Sequence, residues 1–152
     1  MRGIAAETQD VSSADLSAVY SELSASGCRV TQQRKDIVAE FARQQRYVTP
    51  QELHARLHGR RPRIGLATVY RTLEVLERIN AASRALRPSG EASYLFCAGA
   101  HHHHAICVKC GRVADVPCGP VERLARSVAS RLRFRLTQHR VELLGLCERC
   151  SA

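Results

Sequence analysis

The densest chemistry in the sequence lies in HHHHAICVKC, residues 101–110, and in a later counterpart, CERC, residues 147–150. Cys107 with Cys110 and Cys147 with Cys150 form two C-x-x-C pairs. Together they offer four thiolates, the set that tetrahedral Zn²⁺ takes in closed structural sites. Gly111 follows the first pair and Lys109 sits inside it, both suited to a tight metal-binding knuckle. The 36 residues between Cys110 and Cys147 exceed ordinary zinc-ribbon spacing, so the fold of a whole domain must bring the pairs together. A redox dithiol is the competing reading. It is weakened by the presence of a second pair and by the lack of a βαβ context.

The four histidines could be a purification scar or a solvated tract, but the run is internal, short and followed by the strand-like AICV. On a strand, successive side chains point to opposite faces, so His101 and His103 would face one way and His102 and His104 the other. One ion could not easily collect all four; two sites, each with a pair of imidazoles, is the expected outcome. Each pair needs further ligands. Cys97 is available to His102 and His104, and Glu122 and His139 to the other pair. On residue type alone these additions are weak, because a lone Cys is more often packed in a core and a lone Glu more often faces solvent. Cys28 and Cys118 read as packed or incidental thiols, with Cys118 just ahead of a helix.

The elements that must position these groups follow from periodicity and caps. A loose leader over residues 1–12 precedes a helix with Leu16, Val19, Tyr20 and Leu23 on one face and Gly27 as its stop. Thr31 can cap a second helix that buries Ile37, Val38 and Phe41. TPQEL then marks a third: Thr49 as N-cap, Pro50 at the first helical position, Glu52 reaching back, and an end at His58–Gly59. A fourth helix begins near Gly65, with Leu66, Val69, Leu73 and Leu76 toward the core, Thr68, Tyr70 and Arg71 off that face, and Asn80 as its stop. Two extended runs, about 81–87 and 92–97, flank the turn 88–91. Helices followed by such a hairpin make a winged helix-turn-helix, with the fourth helix for the major groove. Beyond a short hinge at 98–100, residues 101–107 and 112–116 read as strands. A helix from Pro120 presents Val121, Leu124, Ala125, Val128 and Leu132, and a last strand spans about 140–146. The expected fold class is therefore α+β: a winged-helix domain over 1–97 and a small α/β domain over 101–152.

Charge agrees with a polyanion partner. Residues 29–87 carry thirteen Lys or Arg against five acids, +8, while residues 1–28 carry −3 and residues 88–152 carry +4. No apolar run approaches the roughly 20 residues of a membrane span, and the start shows no signal-peptide core. Reduced cysteines suit a cytoplasmic chain, and no membrane contact is expected.

RVTQQR at 29–34, GLATVYRTLEVLE at 65–77, HHHHAICVKCGRV at 101–113 and LTQHRVELLGLCERC at 136–150 resemble the ferric uptake regulator (Fur) family over roughly residues 15–150. Its members are dimeric metal-sensing transcriptional repressors. The resemblance implies a winged-helix domain, an α/β dimerisation domain, and metal sites at the hinge and within the second domain. It assigns Cys107, Cys110, Cys147 and Cys150 to structural zinc, and His101, His103, Glu122 and His139 to a second-domain site. His102 and His104 fall to the hinge sensor, Thr68, Tyr70 and Arg71 to DNA reading, and Arg34 to a backbone contact. Arg29, Arg84 and Arg87 join the DNA-binding set on charge and position.

The metal sensed is expected to be zinc, as in the family's zinc uptake regulator (Zur) branch. Iron- and peroxide-sensing members carry a wing-strand carboxylate where this chain has Leu95, and zinc sensors a cysteine matching Cys97. A soft thiolate favours Zn²⁺ over Fe²⁺ or Mn²⁺, which are the alternatives at the regulatory site. Zinc sensors also place Asp or His where this chain has Ser83, so the fourth hinge ligand is Ser83, Asp115 or water. The expected function is a homodimeric repressor that binds a palindromic operator in double-stranded DNA and silences zinc-uptake genes when metal-bound. An iron- or peroxide-responsive repressor of the same fold is the nearer rival. A zinc or thiol enzyme is the distant one, since no HExxH-like base accompanies the metal ligands.

Overall fold

The computed structural model describes residues 11–60, 63–87, 89–97, 102–137, 139 and 141–151. The expected hinge at 98–100, His101, most of the leader, Pro88 of the hairpin turn and Arg140 of the last strand lie outside the described residues. The chain divides into two compact units, one within Gln9–Gly99 and the other on Ala100–Ala152.

Four helices, the first three with side-chain caps, build the first unit. Helix α1 (Ser13–Ala25) starts at Ser12, whose hydroxyl accepts from the Asp15 N–H while the Asp15 carboxylate accepts from the Ser12 N–H. Helix α2 (Gln32–Ala42) starts at Thr31, and α3 (Pro50–His58) at Thr49, with the reciprocal Thr49–Glu52 bonds in place. Helix α4 (Leu66–Arg78) follows Gly65 and stops at Asn80, which takes a left-handed φ of 60°. Strands β1 (Ala82–Leu86) and β2 (Ala92–Phe96) pair antiparallel from Ala82 opposite Phe96 to Leu86 opposite Ala92, and Gly90 at φ 81° turns the hairpin. Val48 and Tyr94 exchange both backbone bonds, at 2.9 and 2.8 Å, tying the entry of α3 to the hairpin. Leu23, Ile37, Val38, Phe41, Leu53 and Leu73 are wholly buried at the centre of this unit.

The second unit is a three-stranded sheet in the order β4–β3–β5 with one long helix. Strand β3 (His102–Cys107) runs antiparallel to β4 (Val113–Pro117), with Gly111 at φ 73° in the turn. Helix α5 (Cys118–Leu132) carries the chain back so that β5 (Glu142–Gly145) lies parallel to β3. Helix α5 starts two residues before the expected Pro120. The first helical N–H groups have no intrahelical acceptor, so Pro120 is tolerated inside the first turn. A short helix α6 (Glu148–Ser151), not expected from the sequence, begins just after Cys147 and carries Cys150 of the second C-x-x-C pair.

The expected apolar face of α5 exists, but one protomer leaves much of it uncovered. Leu124 and Leu132 are 65% and 63% exposed, and Phe134, Leu143, Leu144 and Leu146 are also open to solvent. The sheet carries an apolar recess of about 220 Å³ lined by Ala105, Ile106, Leu143 and Leu144 among others. No helix among the described residues is long and apolar enough to cross a membrane.

Candidate metal centres and nucleic-acid interface

The parallel pairing of β3 with β5 explains how two distant cysteine pairs meet. Cys107 stands opposite Gly145, and the Val108 N–H donates to the Gly145 carbonyl at 2.9 Å, so both strands deliver their cysteines to the same end of the sheet. The Sγ atoms of Cys107, Cys110, Cys147 and Cys150 all lie within 4.8 Å of one another, with Cys110 and Cys147 at 3.7 Å. The backbone N–H of Cys147, then that of Cys110, bring the Cys107 thiol down to about 6; burial opposes them and the Lys109 N–H adds to them. Hydrogen bonds that the Cys150 thiol donates to the Cys110 and Cys147 sulfurs, with burial and the Cys107 charge adding, push Cys150 up to about 12. Four thiols this close cannot all ionise together unless a cation joins them. The donor set therefore fits Zn²⁺, which takes thiolates and binds them tetrahedrally.

At the other end of the sheet, strand alternation sorts the histidines. The rings of His102 and His104 meet edge to face at 4.9 Å, and their Nε2 atoms lie 3.8 and 3.9 Å from Oδ1 of Asp115. Asp115 is directly opposite His104 in the β3–β4 register, which is why its carboxylate shares their face. His103 turns the other way, is only 2% exposed, and lies with its ring 5.0 Å from that of His139.

The expected second-domain set also included His101 and Glu122. His101 is outside the described residues, and the Glu122 carboxylate is bound to Arg126 one helical turn further along α5. Cys118, an incidental thiol on sequence alone, has its Sγ 3.3 Å from Nε2 of His139. A signal for Cys118 existed: counting equal steps along the two strands from the C-x-x-C-G turn brings it beside the histidine run.

In the first unit, Cys97 closes the wing, its N–H donating to the Ala81 carbonyl at 3.0 Å. Ser83, on the same face of the hairpin, is buried and accepts from the Tyr47 hydroxyl at 3.1 Å. Its oxygen is thus engaged within the unit, while Asp115 already faces two imidazoles.

Helix α4 buries Val69, Leu73 and Leu76 and leaves Arg71 exposed, with Thr68 and Tyr70 half-buried. The Tyr70 hydroxyl accepts from Gln51 at 2.9 Å, which orients the ring from α3. Arg34 donates to the Arg29 carbonyl, bracing the segment before α2, while the Arg29 and Arg84 side chains face solvent. Arg87 differs from the rest of the expected DNA-binding set. Its Nη2 donates to both oxygens of Glu52, at 3.0 and 2.9 Å, so its charge is matched within the unit.

Comparison with known proteins bears on the whole of this arrangement. The sequence profile described as the ferric uptake regulator family matches residues 25–144. The chain is 36% identical over 88 residues to a ferric uptake regulation protein of Legionella pneumophila, covering 58% of this chain and 65% of that protein. It is 36% identical over 130 residues to a zinc uptake regulation protein of Mycobacterium tuberculosis, covering 86% of this chain and 100% of that protein. A solved zinc uptake regulator, complexed with zinc and DNA, superposes with a TM-score of 0.66 at 25% identity, over 90% of this chain and 92% of that one.

Proposed function

Because the chain belongs to the ferric uptake regulator family, we propose that it is a zinc-dependent transcriptional repressor: a homodimer that binds a palindromic operator when loaded with metal and silences genes for zinc uptake. The observation that carries the reading is how thiol and imidazoles are distributed. Cys97 ends the wing of the basic unit, and five residues later His102 and His104 open the other unit with Asp115 beside them. A Cys–His–His–Asp set is a zinc-type ligand group, softer than the carboxylate-rich sets that suit Fe²⁺ or Mn²⁺. Zinc held by these residues would supply a joint without redox chemistry of its own.

The chain's own residues do the rest. Cys97, His102 and His104 tie the DNA-reading unit to the sheet unit and set the angle at which each α4 meets the operator. Arg71 and Tyr70 read base edges and methyl groups, and Arg29, Arg34 and Arg84 contact phosphates, the source of most affinity. Dimer formation supplies the cover that Leu124, Leu132, Phe134 and Leu144 lack in one protomer. Cys107, Cys110, Cys147 and Cys150 hold the sheet unit together around structural zinc, and a further cation belongs where His103 meets His139. The protein is read as a cytoplasmic regulator and not an enzyme, in keeping with the regulators it resembles.

The test is selection of bound duplexes from a random-sequence DNA library, using full-length protein at buffered Zn²⁺, followed by titration of the winning duplex. A palindrome should emerge, and Arg71→Ala should weaken its binding by about 1–3 kcal/mol, roughly 5- to 150-fold. Cys97→Ser should abolish the dependence on zinc. Binding that is indifferent to zinc but restored by Fe²⁺ would transfer the protein to the iron-responsive reading.

A further inference from the structure

We infer that Cys118 is a metal ligand, and that the second cation site of the sheet unit is a thiolate–imidazole set, Cys118 with His103 and His139, selective for Zn²⁺. The inference rests on the proposed metal-holding role of that unit and names the donor that the carboxylate of Glu122 was expected to be. Its starting point is geometric. One donor atom from each of His103, Cys118 and His139 lies within 4.8 Å of the other two, with Cys118 Sγ and His139 Nε2 at 3.3 Å. Bond lengths of about 2.0–2.3 Å to zinc put tetrahedral donors about 3.5 Å apart, so small side-chain rotations close this set on an ion.

Three elements hold the donors in place. Strand alternation turns His103 inward from β3, where it is nearly wholly buried. The β3–β4 register sets Pro117 opposite His102, and α5 begins at the next residue, so its first side chain, Cys118, stands by the histidine run. His139 arrives on the segment leading into β5.

The start of α5 also suits a thiolate. Its N-cap is Pro117, no side chain caps its free N–H groups, and its first turn holds no acidic residue. An anion at that position is favoured by the helix dipole and by those N–H donors. Glu122 lies one turn further on, with its carboxylate paired to Arg126. With one sulfur and two nitrogens the set prefers Zn²⁺ to Fe²⁺ or Mn²⁺.

The experiment uses the full chain with its four-cysteine site filled by zinc, in a Cys97→Ser background so that the hinge thiol contributes no signal. Titration with Co²⁺ should still produce thiolate-to-cobalt charge-transfer absorption. Adding Cys118→Ser should abolish that absorption and weaken cobalt binding at least about tenfold, while Glu122→Gln leaves both unchanged. In the unaltered protein, which needs no variant to fold, Zn²⁺ should shield Cys118 from iodoacetamide and leave Cys28 as reactive as before, read by peptide mass spectrometry. Absorption that survives Cys118→Ser, or Cys118 alkylated equally with and without zinc, overturns the inference. Cobalt binding lost in His103→Ala and His139→Ala but kept in Cys118→Ser would sink the thiolate alone. Cobalt stoichiometry unmoved by either histidine variant would instead remove the underlying metal site.

Discussion

In the first unit Ile37, Phe41, Leu53, Leu73 and Leu76 are wholly excluded from water, and Phe41 meets Phe96 edge to face at 5.7 Å. In the second, the buried residues among those described are Val113, Ala129, Cys107 and two imidazoles, His103 and His104. Apolar packing fixes one unit; the other has too little apolar burial for that and places ligand clusters at both ends of its sheet. The contrast follows from size, because a module of about 50 residues buries too small a share of its surface to stand on a hydrophobic core alone. It also teaches where function resides. On the proposed function, the packed unit would serve as the platform for the DNA-reading helix, and the other unit would depend on metal and a partner for its stability.

The largest expected effect comes from removing metal. Structural zinc contributes about 10–16 kcal/mol in small zinc modules near neutral pH, more than the total stability of many domains. Stripping the four-cysteine site with a chelator under reducing conditions should therefore collapse amide-exchange protection from β3 to α6 and leave α2–α4 protected. Persistent protection in β3 and β5 would show that their apolar contacts suffice, and the contrast between the units would fail.

Phe41→Ala should act the opposite way, costing about 3–5 kcal/mol through the cavity it leaves, visible as a lowered melting transition with zinc content unchanged. A loss of bound zinc in that variant would mean the two units do not respond separately.

The smallest expected effect is that of Glu52→Gln, about 1 kcal/mol from the weakened α3 cap and the lost Arg87 pairing. Burial works to raise the Glu52 pKa, but the Thr49 N–H and the Arg87 guanidinium outweigh it and hold the carboxyl below the usual range. The folded form thus binds this proton less tightly than the unfolded chain does. The stabilisation is in full force above the ordinary carboxylate pKa and is lost as pH falls through the lowered folded value. Glu52→Gln should flatten that acid limb in urea melts recorded across pH.

Much of the architecture could be read from sequence because its signals are local. TPQEL carries its own cap, the apolar positions of α4 repeat at helical spacing, and a strand divides adjacent histidines without reference to anything distant. What escaped depends on pairing between distant segments. Cys118 stands alone in sequence, and only the β3–β4 register brings it to the histidines. The pairing of Arg87 with Glu52 joins positions 35 residues apart. The Val48–Tyr94 exchange is equally non-local, and α6 is a single turn with no periodicity to detect.

The parallel alignment of β3 with β5 has a consequence in time. During synthesis the helices and hairpin of the first unit are complete before His102 has been added. Strand β3, by contrast, waits some 35 residues for its second neighbour, and Cys107 waits longer for the last of its thiol partners. For that interval the nascent chain carries a fully synthesised first unit and an open sheet edge with unpaired thiols, the state most exposed to mispairing and oxidation. Zinc available once Cys147 and Cys150 have been added would favour the native joining of β3 to β5 over those side reactions.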